Sequence, residues 1–152
     1  MPEEKTYTYE ELSKLKRKEL DALMHVGRCP TVDDVLGFEF KGWNLNAFSR
    51  VLGNRKFKKG FFGQSERTYC WGYNMPVVNN DIQEEWNVRP NAENPKRYYF
   101  YKAFRHHDEH AKKSGYQHKD TFIVDYSRWG EYFVLNPVGY TVDYLVFPNP
   151  ND

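Results

Sequence analysis

His106, His107, Asp108, Glu109 and His110 form the densest set of potential metal ligands in the chain, and His118 lies a little beyond. His106 and His110 stand at i and i+4, a spacing that puts two imidazoles on one face of a helical turn. No H-E-x-x-H and no third ligand at fixed spacing accompany them, and Lys112, Lys113, Ser114 and Gly115 read as a loop tip. The expectation is a solvated connection with no metal or other cofactor; His106 and His110 are the pair that would hold one. For acid–base work the best carboxylates are Asp125 and Asp143, the middle residues of two Val-Asp-Tyr triplets. Paired carboxyls serve retaining glycoside hydrolysis at ~5 Å and inverting hydrolysis at ~6.5–9.5 Å. No G-x-S-x-G, Walker loop or G-x-G-x-x-G is present, and neither Cys29 nor Cys70 has an adjacent activating group.

A third set is basic. Arg50, Arg55, Lys56, Lys58 and Lys59 put five cations and no anion into ten residues, with Phe57, Phe61 and Phe62 among or just after them. Lys59-Gly60-Phe61-Phe62-Gly63 is distantly similar to the aromatic strand of RNA-recognition modules, but that module alternates strands with two helices, and this chain does not. A basic strand facing solvent, or one meeting an anionic head group at a pocket mouth, is the expectation. Across all 152 residues, Lys+Arg 22 against Asp+Glu 21 leaves a net charge of +1, so the chain lacks the field of a dedicated nucleic-acid binder. Two cysteines without a C-x-x-C argue for reduced thiols rather than a disulfide scaffold. No apolar run approaches the ~18 residues of a membrane span, and no h-region follows Met1-Pro2-Glu3-Glu4-Lys5, which reads as cytoplasmic.

These side chains must be positioned by a chain whose dominant feature is aromatic: 12 Tyr, 11 Phe and 4 Trp make 18% of it. Thr8 and Glu11 form a capping box. Leu12, Leu15, Leu20, Leu23 and Met24 follow near helical spacing, and Gly27 supplies a left-handed stop, so one helix is expected there. A second, short helix runs from the Thr31 cap to Gly37, and 46–52 reads as a third. From residue 38 the period changes to two. Phe38, Phe40 and Trp43 open a first strand, and 55–62, 67–78, 96–105, 120–127, 131–136 and 140–147 follow as strands rich in Tyr, Phe and Val. Without αβ alternation a parallel sheet is disfavoured, and one domain over 1–152 results: 1–53 mainly helical with the first strand, 54–148 an antiparallel meander.

Two-residue turns at Trp129-Gly130 and Val138-Gly139 would place 131–136 between the strands of Asp125 and Asp143. The two carboxylates then share a face, two strands and ~10 Å apart. In 96–105 both faces are aromatic, Tyr98, Phe100 and Phe104 on one and Tyr99 and Tyr101 on the other, as in a strand covered on both sides.

The stretch Val35-Leu36-Gly37-Phe38-Glu39-Phe40-Lys41-Gly42-Trp43 resembles the entrance of lipocalin-like small barrels, and the runs 97–101, 122–126 and 140–146 are similar to their meander. Glu39 stands where the Trp of their G-x-W would be, and only Phe40-Lys41-Gly42 matches the second half of the bacterial G-x-W-x-G. The fold expected is α+β, N-terminal helices on a strongly curved antiparallel sheet or small lipocalin-like β-barrel. The resemblance implies non-enzymatic binding of a small, largely apolar ligand such as a lipid or a haem-like molecule. Rings such as Trp43, Phe61, Tyr99 and Tyr101 would hold it, with Arg50 or Arg105 near an acidic head. Two alternatives stand beside this: a barrel enzyme of NTF2-like type using Asp125 or Asp143 as acid/base, and an interaction module, for example a homodimer, pairing through the edge strand 140–147. Nucleic acid is not an expected partner.

Overall fold

The Thr8 capping box forms as read: Glu11 N–H donates to Thr8 Oγ1 at 3.2 Å and Thr8 N–H donates to the Glu11 carboxylate at 2.8 Å. The structure, a computed structural model, describes residues 6–45, 51, 55–64, 68–106, 120–128 and 141–149. The helix begun at Thr8 is short. α1 spans Tyr9–Lys14, Leu15 and Lys16 are extended, and α2 spans Arg17–Val26, where a single helix was expected. The step from Leu15 to Leu20 is five residues, out of phase with a 3.6 repeat, and the Glu19 carboxylate takes the Lys16 N–H at 2.7 Å to start the second helix. Gly27 is also not left-handed (φ −65°, ψ 150°). A side chain is excluded there because a Cβ would meet Val146 Cγ2 at 2.7 Å and the Phe147 carbonyl at 2.8 Å. α3 (Val32–Val35) has its Thr31 cap, and Gly37 follows at φ +81°. Apart from Val51, the helix expected over 46–52 lies outside the described residues.

Six strands follow: β1 (Glu39–Trp43), β2 (Lys56–Phe62), β3 (Tyr69–Pro76), β4 (Tyr98–Arg105), β5 (Phe122–Asp125) and β6 (Val142–Leu145). They form one antiparallel sheet in chain order, curled into a half-barrel. β5 pairs directly with β6, Val124 opposite Asp143 and Asp125 opposite Val142. The inferred register is therefore corrected: Asp125 and Asp143 lie on adjacent strands and on opposite faces, and the strand read at 131–136 lies outside the described residues. The edge expected along 140–147 is shortened too, since Arg28 and Phe147 exchange backbone hydrogen bonds at 2.8 and 2.9 Å. Next to this bridge Tyr7 and Asn149 do the same through the Asn149 amide, at 2.7 and 3.1 Å, across 142 residues of chain.

The core lies on the concave face. Phe61, Cys70, Tyr101, Ala103, Phe122 and Val124 pack there against Cys29, Val32 and Val35. Fully buried Tyr101 satisfies its phenol by donating to the Gly60 carbonyl at 2.8 Å. Three strand glycines are roofed by the ring directly across the ladder: Gly42 by Phe57, Gly60 by Tyr73 and Gly72 by Tyr101. Cross-strand rings cover backbone that glycine would leave bare, and the missing Cβ lets each ring lie flat. At Gly72 a Cβ would stand 2.1 Å from the Tyr101 ring, whereas at Gly37 nothing lies within 4 Å. Gly72→Ala is thus expected to cost about 1–3 kcal/mol by displacing a core ring, and Gly37→Ala about 1 kcal/mol from backbone strain alone. Urea unfolding measures both; a smaller loss at Gly72 than at Gly37 would refute the ring-over-glycine account.

Candidate functional site

Along β2 the side chains alternate, so Phe57, Lys59 and Phe61 share the concave face while Lys56 and Lys58 point the other way. Lys59 is therefore carried inside rather than into solvent, and only 7% of it is exposed. Its ammonium donates to the Tyr126 phenol oxygen and, at 3.1 Å, to Asp143 Oδ2 on β6. The Tyr126 phenol in turn donates to the same carboxylate oxygen at 3.0 Å. Asn74, opposite Lys59 on β3, points its amide at the Tyr126 oxygen at 3.5 Å and at the Tyr99 carbonyl at 3.1 Å. The rings of Tyr101 (4.6 Å), Tyr126 (4.9 Å) and Phe57 (5.9 Å) face the ammonium from three sides. Burial pulls the amine's pKa below its ordinary value, and the Asp143 charge and hydrogen bond offset part of that. Burial, with the Asp143 charge, holds the Tyr126 phenol well above the usual range. Asp143 itself is open, its side chain 47% exposed. The arrangement is an amine, a phenol and a carboxylate in mutual contact, screened by rings and reached by water from one side.

The described members of the basic set besides Lys59 are also engaged. Lys56, expected on a solvated strand, is 3% exposed on the opposite face. It donates to Asn80 Oδ1 and to the carbonyls of Asp81, Glu84 and Glu85, under the Trp86 ring at 4.4 Å, and so staples the 79–95 connection to the sheet. Lys58 pairs with Glu39 at 3.8 Å. Of the basic strand read from the sequence, two lysines are thus corrected from solvent to interior.

A second feature lies at the rim. Neither α1 nor α2 buries a residue fully. Their apolar side chains, Leu12, Leu20, Leu23 and Met24, face an open groove of about 400 Å³ closed by Trp43, Leu45 and Val146. Arg55 stacks on Trp43 at 4.2 Å and brings a cation to that wall.

The residues proposed from the sequence are spread over the molecule. Trp43 lines the groove. Phe61 and Tyr101 meet edge to face at 5.5 Å in the core, and Tyr101 also flanks Lys59. Tyr99, at φ 48° beside the irregularity in the β3–β4 ladder, is 37% exposed and lies against Tyr98. Arg105 forks onto Asp120 at 2.9 and 3.1 Å. Asp125 is buried and caps the turn that follows it, accepting from Ser127 N–H at 2.9 Å and from its hydroxyl at 2.6 Å. Asp143 faces the acid–base partners Lys59 and Tyr126. His106 is buried beside Tyr144, and no three His, Cys, Asp or Glu gather into a metal site among the described residues. Arg50 and His110 lie outside the described residues. Lys59, Tyr126 and Asn74 were missed as a site; the period-two placement of Lys59 between Phe57 and Phe61 was the signal that could have found the first.

Compared with family models, with curated proteins and with solved structures, the chain matches none. No helix among the described residues is long and apolar enough to cross a membrane.

The two ends of the ion pair differ in burial, and so does the cost of losing either. Asp143→Asn leaves the ammonium buried without its counter-charge and is expected to cost about 3 kcal/mol, whereas Lys59→Met leaves a carboxylate already half in water and costs less than about 1 kcal/mol. Because the folded amine releases its proton more readily than the ordinary value of 10.5, the unfolded chain binds more protons just below that value. The Lys59 contribution to stability therefore rises with pH there, while the buried Cys29 and Cys70 thiols, pushed up to about 11 and about 12, and the buried tyrosines contribute a fall as the unfolded chain ionises them. Lys59→Met removes the rising part, so its stability falls more steeply with pH than that of the wild type. Urea unfolding of both variants across pH 7–10 checks the asymmetry and the slope; equal losses would sink it.

Proposed function

We propose that the protein binds a small, largely apolar ligand without transforming it, in the rim groove between α1, α2 and the end of β1. The observation that carries this reading is the groove itself. Its volume falls within the range of small-molecule sites, and its walls are apolar side chains of two helices that bury nothing fully elsewhere. The likeness to lipocalin-like barrels in 35–43 and the curl of the sheet support the same reading, and a fully closed barrel of that kind is part of the proposal. The ligand sits beside the aromatic interior, because Phe61, Tyr101 and Phe122 fill the space between the sheet and α3. Trp43 keeps its expected role, and Arg55, stacked on it, takes the part of cation for an acidic head. A fatty acid with a fluorescent acyl tail is the natural probe. Binding should raise its emission and quench Trp43; Leu23→Glu should weaken it at least about tenfold, since a carboxylate in the wall is poorly solvated. Titration of the wild type without a saturable signal, or an unchanged affinity in the variant, would remove the groove as the site.

A further inference from the structure

The Lys59 cluster is not needed for the groove reading, and the inference drawn from it stands apart. We propose that Lys59 captures a small aldehyde or ketone covalently as an imine, with Asp143 and Tyr126 moving the protons. Imine formation needs an amine that can shed its proton, a base beside it to take that proton, and an acid that can protonate the carbonyl oxygen. All three touch here: Lys59 Nζ lies 3.1 Å from Asp143 Oδ2 and against the Tyr126 phenol, which is itself 3.0 Å from that carboxylate. The half-exposed Asp143 brings solvent, and so a small carbonyl compound, to within a hydrogen bond of an otherwise buried amine. The rings of Tyr101, Tyr126 and Phe57 wall the amine with apolar surface, which favours a carbonyl compound with a short apolar substituent over a polar one.

The sequence of steps balances. The Lys59 ammonium gives a proton to the Asp143 carboxylate, and the freed lone pair attacks the carbonyl carbon. A C–N bond forms while the C=O π pair moves to oxygen, which takes the Tyr126 proton; the phenolate then recovers a proton from nitrogen. Asp143, now the acid, protonates the hydroxyl, the C–O bond breaks, water leaves and the nitrogen lone pair closes the C=N bond. The product is a protonated imine carrying the same single positive charge opposite Asp143 that the ammonium carried. Amine plus carbonyl compound yields imine plus water, and no oxidant or reductant is consumed.

The test is a brief exposure of the full chain to acetaldehyde at neutral pH with cyanoborohydride to trap any imine, followed by peptide mapping. Lys58 is the internal standard: it is the neighbouring residue, on the opposite face, paired with Glu39. Lys59 is expected to be alkylated at least about tenfold faster than Lys58, as its depressed pKa and adjacent acid and base require. In urea the preference should vanish. Tyr126→Phe, which keeps the ring packing, should slow Lys59 about a hundredfold while leaving Lys58 unchanged, and Asp143→Asn should do the same wherever circular dichroism shows it folded. A buried lysine with only a structural role is protected, so labelling of Lys59 no faster than Lys58, or at an unchanged rate in Tyr126→Phe, overturns the proposal. Neither outcome touches the fatty-acid titration, so the two readings fail separately.

Discussion

The bond between the Lys59 ammonium on β2 and the Asp143 carboxylate on β6 spans the hollow of the sheet and requires its curl. Four strand steps separate the two residues, about 19 Å in a flat sheet at ~4.8 Å per step. The side chains meet at 3.1 Å. Only a strongly curled sheet allows that, and the curl in turn brings Phe40 of β1 within 6.4 Å of Phe147 and wraps the concave face around α3. An ammonium taken out of water is unfavourable unless charge and hydrogen bonds replace its hydration, so the sheet cannot relax toward flatness without stranding it. Tyr126 and Asn74 complete the replacement, which is why a polar cluster sits against an aromatic core instead of disrupting it.

The aromatic surplus has a related origin. A sheet this curved needs places where the backbone can bend and approach closely, and glycine in three strands provides them. Each such glycine would expose a strip of backbone on its own. Phe57, Tyr73 and Tyr101 lie across Gly42, Gly60 and Gly72, and Arg97 caps the far side of the Tyr73 ring at 4.6 Å. Large flat rings serve here because a Leu or Ile side chain cannot cover a facing glycine as a plate does. The richness in Tyr and Phe therefore belongs first to the sheet's construction, with Trp43 as a ring that lines the rim groove instead.

Much of this architecture could be read from local pattern. The Thr8 and Thr31 caps, the short helix that ends before Gly37 and the strands of residues 38–105 follow from side-chain chemistry within a few residues, and the structure has them. The errors arose where a distant partner decides. Leu15 to Leu20 looked like one helix until the phase slip at Lys16 is considered. Asp125 and Asp143 were placed on one face by assuming that a turn at each Gly joins neighbouring strands, whereas β5 takes β6 as its partner. The basic segment misled most, because charge density suggested solvent while alternation put Lys59 in line with Phe57 and Phe61. Periodicity was the better guide than charge, since the pleat fixes which way a side chain points and a buried partner on another strand can neutralise it. That partner, Asp143, lies 84 residues away.

The clasp between Tyr7 and Asn149 bears on how the molecule comes into being. Closing a loop of 142 residues carries an entropic cost of about 4 kcal/mol beyond a constant. The helices are made before the segment that anchors them. During synthesis α1 and α2 thus leave the ribosome with their apolar stripes uncovered, and they stay so until Arg28 and Tyr7 find residues 147 and 149. Contacts of such long sequence separation make for slow folding and prolonged exposure of apolar surface. The vulnerable period ends only when Tyr7 and Arg28 have met residues 149 and 147.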